Sequence, residues 1–232
     1  MDVTSGRSVW RLLLLIGAPL AFVVTGLLHL VPASEASVGN DFYHVIPHSS
    51  LWIGIHVIQL VIISFLAWGV AALTSGLGDI AATVSRAALV PFVAFYSAFD
   101  AIVGLAGGLL ARYVSEHPPK SAEISQAADA ITDPLSEPIL IGVYVVGVLS
   151  WLVAVLGAVI ALRRAGASLP GLVLLVAGAT IFAVDHAAPF GPVGMGLFLI
   201  GAVMTDRARW QRSTANPAAE RASRFGPAGS GG

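Results

Sequence analysis

Six long apolar segments dominate the sequence and restrict the folds that are open to it. They cover residues 12–31, 51–73, 88–112, 138–162, 169–187 and 189–205. A helix needs about 20 mostly apolar residues to cross the hydrocarbon core of a bilayer, and each segment is close to that length. Only 11% of the residues are charged, against about a quarter in a soluble domain. The sequence therefore predicts an all-α fold, a polytopic bundle of six transmembrane helices in contact with the lipid bilayer.

Three of the predicted spans leave an alternative open. Arg7 and Arg11 precede the first segment and residues 34–36 follow it as Ser-Glu-Ala, so this segment could be a cleaved signal peptide. Its apolar run is longer than the roughly 7–15 residues of a signal peptide, which favours an uncleaved span. The fifth and sixth segments are short and are joined by a Pro- and Gly-rich turn at residues 188–192, so they could form a re-entrant hairpin. Full crossings are favoured because lipid requires every backbone group to be hydrogen-bonded internally.

The basic residues predict the orientation of the bundle. With six spans, one side carries only Arg112 and Lys120, and the other side carries all the remaining basic residues: Arg7, Arg11, Arg86, Arg163, Arg164, Arg207, Arg209, Arg212, Arg221 and Arg224. Cytoplasmic loops carry the excess of Lys and Arg, so both termini are predicted to be cytoplasmic. Residues 32–50 and 113–137 then form outer loops, and residues 206–232 form a disordered cytoplasmic tail. The preference for Arg over Lys is typical of a high-GC bacterial genome, which predicts a bacterial cytoplasmic (inner) membrane.

Five ionisable residues fall inside the predicted spans or at their ends: His29, His56, Asp100, Asp185 and His186. Such residues are costly in lipid and are functional candidates by default. At a rise of 1.5 Å per residue, His29, His56 and Asp185 each lie roughly 10 Å outward of the midpoint of their span, and Asp100 lies one or two turns deeper. Three helices thus bring polar groups to one depth. We expect Asp100 and His56 to form the core of a shared site, with the other three at its rim.

The third segment has a small, polar face. Tyr96, Ser97, Asp100, Gly104 and Gly108 follow one another at intervals that place them on one side of a helix. Small residues favour close contact between helices in a membrane, so this face is predicted to pack inside the bundle with Asp100 pointing inward. Glycine-rich faces would also suit a homo-oligomer or a partner membrane subunit.

The predicted site is compatible with several functions. Imidazole and carboxylate ligands suit zinc, copper, iron or nickel, and two histidines on facing helices suit haem. Without a metal, the same groups suit proton relay in transport or redox chemistry. One alternative is a non-enzymatic accessory or scaffold subunit, in which these residues only fix helix packing. Another is a metal-dependent membrane hydrolase, which would need a water-filled pocket and a general base.

Other features narrow the range of functions. His44 and His48 form an H-x-x-x-H pattern, but Pro47 interrupts it in a polar loop, so we interpret them as surface histidines. A net charge of −1 offers no basic face for nucleic acid. The sequence has no cysteine, which excludes disulfides and thiolate metal sites. It also has no Walker loop, G-x-S-x-G or H-E-x-x-H motif.

Overall fold

The described part of the molecule is entirely helical. The structure is a computed structural model that describes residues 9–29, 45–117 and 137–215, with side chains described as far as residue 207. Within these ranges we number six helices in chain order: α1 Val9–Leu28, α2 Ile46–Leu73, α3 Ile80–Glu116, α4 Pro138–Arg164, α5 Leu169–Val184 and α6 Phe190–Ala215. The predicted all-α fold class is confirmed for these residues.

Four of the helices, α1 to α4, are long and apolar enough to cross a membrane. Their length and composition indicate a membrane protein, as the sequence predicted. Helix α5 is also apolar but has only 16 residues. Helix α6 has 26 residues, and its second half carries the charged residues from Asp206 onward. A total of six spans, with both termini on the cytoplasmic side, therefore stays a prediction.

The ends of several helices differ from the predicted spans. Helix α3 begins at Ile80 rather than near residue 88, because Asp79 Oδ1 accepts a hydrogen bond from the Ala82 N–H at 2.7 Å and caps its first turn. Helix α6 continues beyond residue 206 to Ala215. Most of both predicted outer loops, and the end of the predicted tail, lie outside the described residues.

Two tight turns join helices at the end of the bundle that carries the arginines. Gly76 lies between α2 and α3 with φ 75°, and Gly166 lies between α4 and α5 with φ 83°. Glycine adopts this left-handed backbone without the steric cost that a Cβ would add. Arg86 Nη1 donates to the carbonyls of Thr74 and Leu77 at 3.2 and 3.3 Å, so it closes the end of α2.

Glycines bring the helices of the second half into close contact. A Cβ on Gly178 of α5 would meet the Phe198 backbone of α6, and a Cβ on Gly194 of α6 would meet the Phe182 backbone of α5. Helix α4 is joined to this pair by Trp151, which is buried and donates from Nε1 to the Ala179 carbonyl at 3.2 Å. Helix α1 packs against both α2 and α6, so the first and last helices are neighbours.

Helix α3 departs from regular α-helical geometry on both sides of Asp100. Two π-helical segments, Phe92–Tyr96 and Ala101–Ala106, flank the short α-helical stretch Ser97–Asp100. Pro91 precedes the first of them and lacks a backbone N–H donor. Wide π turns shift the side chains that follow them out of the regular register, and they are frequent at functional sites. The first segment precedes Asp100, so it changes the direction of that side chain relative to a regular α-helix.

Candidate metal centre

Three histidines meet at the end of the bundle opposite the arginine-bearing turns. His29 ends α1, His56 lies in α2, and His186 lies in the turn between α5 and α6. One ring nitrogen from each lies within 4.8 Å of the others. The ring centroids of His29 and His56 are 5.0 Å apart, and those of His29 and His186 are 5.6 Å apart. We call these three residues the histidine triad.

The histidine triad is enclosed by the protein on most sides. His29 and His56 are only 3% and 2% exposed, whereas His186 is half-buried. The indole of Trp52 covers one side, with ring centroids 5.0 Å from His29 and 4.7 Å from His56. Tyr96 lies on the His186 side, with ring centroids 6.1 Å apart. Of the three histidines, His186 is therefore the most exposed.

Backbone contacts orient two of the imidazoles. His56 Nδ1 is 2.8 Å from the Trp52 carbonyl, which can only accept, so Nδ1 carries the proton and Nε2 keeps its lone pair. Histidines that bind metals usually donate their other N–H to a carbonyl or carboxylate in this way. His29 Nδ1 is 3.5 Å from the Thr25 carbonyl, and its Nε2 is buried with no hydrogen-bond partner. Both Nε2 atoms are thus free to bind an ion.

Asp100 lies beside the histidine triad but is not one of its members. Its Oδ1 is 3.9 Å from His56 Nε2, which is too long for a hydrogen bond. The side chain is 1% exposed, and Oδ2 is buried without a partner. A carboxylate here would partly offset the charge that a divalent cation brings into a region of low dielectric constant.

Of the five residues that the sequence grouped at one site, three form the histidine triad, and Asp185 lies close enough to His29 to interact with it electrostatically. The structure brings His29, His56 and His186 together, with Asp100 next to His56. Asp185 is directed to its own turn, where Oδ1 accepts a hydrogen bond from the Ala187 N–H at 2.8 Å. We expected His186 at the rim of the site, but its ring nitrogen lies together with those of His29 and His56.

Two residues that the sequence did not assign to the site hold His56 in place. The His56 ring occupies the space where Gly104 would carry a Cβ. Trp52 Nε1 donates to the Gly104 carbonyl at 2.9 Å, which ties α2 to α3 at this level. Residue spacing along the helices could have indicated both, because Trp52 lies one turn before His56 and Gly104 lies one turn after Asp100. Gly104 and Gly108 of the predicted small face pack against α2, whereas Tyr96 of the same face packs against Gly147 of α4. Association with other chains through glycine-rich faces stays a prediction.

A buried polar layer lies one turn further into the bundle. Gln59 Nε2 donates to Thr25 Oγ1 at 3.5 Å and links α2 to α1, and Gln59 Oε1 is buried without a partner. Thr25 Oγ1 in turn donates to the Ala21 carbonyl at 3.0 Å. Since Thr25 also faces His29 through its carbonyl, this layer supports the triad from below.

The distances within the histidine triad are close to those of a metal site. Zinc binds imidazole nitrogen at about 2.0–2.1 Å in tetrahedral geometry, which places two such nitrogens about 3.4 Å apart. The observed separations of up to 4.8 Å would have to shorten by up to about 1.4 Å through rotations of the side chains.

No other group of this kind occurs in residues 9–29, 45–117 and 137–207. His48 and His117 do not belong to the triad, and His44 lies outside the described residues. Comparisons of the chain with family models, with curated protein sequences and with solved structures found no match.

Proposed function

We propose that this membrane protein binds a divalent transition-metal ion, with zinc the best fit, through His29, His56 and His186. The observation that carries the proposal is the histidine triad itself, with three ring nitrogens within 4.8 Å of one another. Sets of three protein ligands, including three histidines, are typical of zinc sites that keep one position open. Imidazole also suits copper and nickel, so the choice among these metals depends on measured affinities.

The arrangement of the rings favours an ion over haem. Two axial histidines of a haem lie on opposite faces of the macrocycle. The rings of His29 and His56 instead meet edge to face, 5.0 Å apart and at 72°, which leaves no gap for a macrocycle between them. A role in packing alone would leave His29 Nε2 buried and unpaired, at a cost of about 1–3 kcal/mol. A bound ion removes that cost.

The test is a zinc titration of protein purified in detergent and stripped with a chelator. We expect one zinc per chain by elemental analysis. We expect the affinity to fall at least about 100-fold in each of His29→Gln, His56→Gln and His186→Gln, because each substitution removes one of three direct ligands. The matched control is His117→Gln, which changes an exposed histidine at the end of α3 and should bind like the wild type. Equal zinc binding by the triad variants and the control would support the scaffold alternative instead.

The same proposal places the triad near the outer face of a bacterial cytoplasmic membrane, in a six-span bundle with both termini inside. Its support is the distribution of basic residues, because Arg86, Arg163 and Arg164 lie at the opposite end of the bundle from the histidines. Metal would then reach the site from the periplasmic side.

Orientation can be tested cleanly because the chain has no native cysteine. Ser115 and Ser168 are both exposed and lie at opposite ends of the bundle, so Ser115→Cys and Ser168→Cys form a matched pair. In spheroplasts, whose cytoplasmic membrane is intact, a membrane-impermeant maleimide should label the cysteine at 115. It should label the cysteine at 168 only after lysis. The reverse pattern would refute the proposed orientation.

A further inference from the structure

The three histidines do not complete a four-coordinate site. Structural zinc sites usually have four protein ligands, whereas catalytic sites have three and hold water or substrate in the fourth position. Within the described residues, the group that lies within bonding range of one ion contains only His29, His56 and His186. Asp100 stands just outside that group, buried, with one carboxylate oxygen that has no partner.

We infer that the fourth position of the metal holds a water molecule that Asp100 deprotonates, so that the centre hydrolyses an ester bond of an amphiphilic substrate. This inference rests on the proposed metal site. It adds a reaction and a catalytic residue to that site.

The distance from Asp100 to the triad suits a carboxylate that contacts bound water. A water on zinc lies about 2.0 Å from the metal, and a carboxylate that accepts its O–H lies about 2.5–2.7 Å from the water oxygen. Such a carboxylate would lie close to a ligand of the metal without binding the metal itself. Asp100 Oδ1 is 3.9 Å from His56 Nε2.

The structure also fixes Asp100 relative to His56. One π-helical segment of α3 ends four residues before Asp100, and the other begins directly after it. One turn later, Gly104 accepts the Trp52 hydrogen bond and makes room for the His56 ring. This contact between α2 and α3 therefore positions His56 beside the turn of α3 that carries Asp100. A general base must lie within reach of the proton that it accepts, and Asp100 meets that condition through its place beside His56.

The reaction is balanced without any further reactant. The metal-bound water gives its proton to the Asp100 carboxylate, and the resulting hydroxide forms a bond to the ester carbonyl carbon. The bond from that carbon to the alcohol oxygen breaks, and Asp100 returns its proton to the departing oxygen. One ester and one water give one carboxylic acid and one alcohol, and nothing is oxidised or reduced.

The surroundings of the triad favour an ester with an apolar chain. His29 and His56 are buried among apolar helices, and the indole of Trp52 and the ring of Tyr96 flank the triad. The half-buried His186 lies in the turn at the end of the bundle. A substrate with an acyl chain in the hydrocarbon and its ester at the helix ends fits this placement.

The test uses zinc-loaded, full-length protein in detergent with p-nitrophenyl octanoate as the probe. We expect hydrolysis by the zinc-loaded wild type and none above background after chelation. Asp100→Asn should still bind one zinc at saturation, with an affinity at most about 100-fold weaker, and should lose at least about 100-fold in rate. Asp100→Glu should recover part of the rate. Glu116→Gln, an exposed carboxylate on the same helix, should behave as the wild type.

A second measurement reports the open position independently of activity. In cobalt-loaded wild type and in Asp100→Asn, azide should change the visible spectrum by replacing the bound water. If azide does not change the wild-type spectrum, another group occupies the fourth position and the inference is wrong. If Asp100→Asn binds no metal, Asp100 is itself a direct ligand and the inference is also wrong. A zinc-loaded wild type that hydrolyses no faster than the stripped protein also overturns it. In each of these cases the wild type still binds metal, whereas failure of the wild type to bind zinc would defeat the proposed function itself.

Discussion

The position of one imidazole ring, that of His56, depends on three neighbouring groups. The Trp52 carbonyl holds Nδ1, the bare Cα of Gly104 leaves space for the ring, and Asp100 lies 3.9 Å from Nε2. Each neighbour acts on a different part of the ring, so each can be changed separately. The glycine is the most sensitive of the three, because a single methyl group there would occupy the volume of the ring.

Gly104→Ala should therefore displace His56 and damage the metal site. A Cβ at this position overlaps the imidazole, and forcing an extra carbon into a packed interior costs about 1–3 kcal/mol. We expect a lower thermal midpoint in detergent and zinc binding weakened at least about 10-fold, since the ligand atom of His56 moves. Differential scanning fluorimetry and a zinc titration measure the two effects.

Gly142→Ala is the matched control for this substitution. Gly142 is also a helical glycine, but a Cβ there meets no atom within 4 Å. Alanine is favoured over glycine in a helix by up to about 1 kcal/mol, so stability should stay equal or rise and zinc binding should not change. Equal losses in the two variants would show that the ring of His56 is not fixed by Gly104.

At the scale of elements, the α5–α6 pair carries His186 in its connecting turn, so the distance between these helices affects the triad. Gly178→Ala should force them apart, because its Cβ would meet the backbone of α6 at Phe198 and Gly194. Backbone cannot move aside as a side chain can, and we expect a loss of about 1–3 kcal/mol in unfolding free energy. Reversible unfolding in mixed micelles measures it. Gly196→Ala, where a Cβ meets nothing within 4 Å, should cost less than about 0.5 kcal/mol.

The start of α3 depends on the carboxylate of Asp79. Removing a side chain that caps a helix costs about 0.5–2 kcal/mol, so Asp79→Ala should lower stability by that amount. Asp79→Asn keeps a capping oxygen but loses the ion pair with Arg164. In this pair Arg164 Nη1 lies 3.5 Å from Asp79 Oδ2, and the Arg164 side chain is exposed. Exposed pairs contribute little, so the Asn variant should stay within about 1 kcal/mol of the wild type. If Asn and Ala cost the same, charge rather than capping would be the function of Asp79. Thermal unfolding of the three proteins side by side decides between these outcomes.

At the scale of the whole molecule, the two ends of the bundle differ in chemistry. One end has basic residues and tight glycine turns, and the other has the histidine triad. Arg11 of α1 donates from Nε to Asp206 Oδ1 of α6 at 2.7 Å, which joins the first helix to the last at the basic end. The triad joins the same two parts of the chain at the opposite end, through His29 and His186.

The contribution of the Arg11–Asp206 pair can be measured with a double-mutant cycle. Both side chains are about a third exposed, so solvent screens the pair and we expect a coupling energy of about 0.2–1 kcal/mol. The variants are Arg11→Ala, Asp206→Ala and their combination, compared by unfolding in detergent at low and high salt. The coupling should shrink at high salt. A coupling above about 2 kcal/mol would mean that the pair organises the bundle rather than merely joining its ends.

The sequence by itself determined the class of structure and the relative height of two of its polar residues. Apolar segments near the length of a membrane span require helices, whatever their neighbours are. Counting residues along a helix gives the height of each side chain, and on that basis His29 and His56 were expected at one level. Asp100 was expected to face the interior because its neighbours one turn away are small or polar.

Only the tertiary structure decided which side chains meet. Depth is a local quantity, but the direction in which a side chain points depends on helix rotation, on π turns and on which helices are neighbours, none of which appears in residue spacing. The wide turns around Asp100 shift the register of α3. The turn after α5 brings His186 to the other histidines. The carboxylate of Asp185, one residue earlier, accepts a hydrogen bond from the Ala187 N–H. That choice between adjacent residues depends on long-range contacts between helices that lie far apart in the chain.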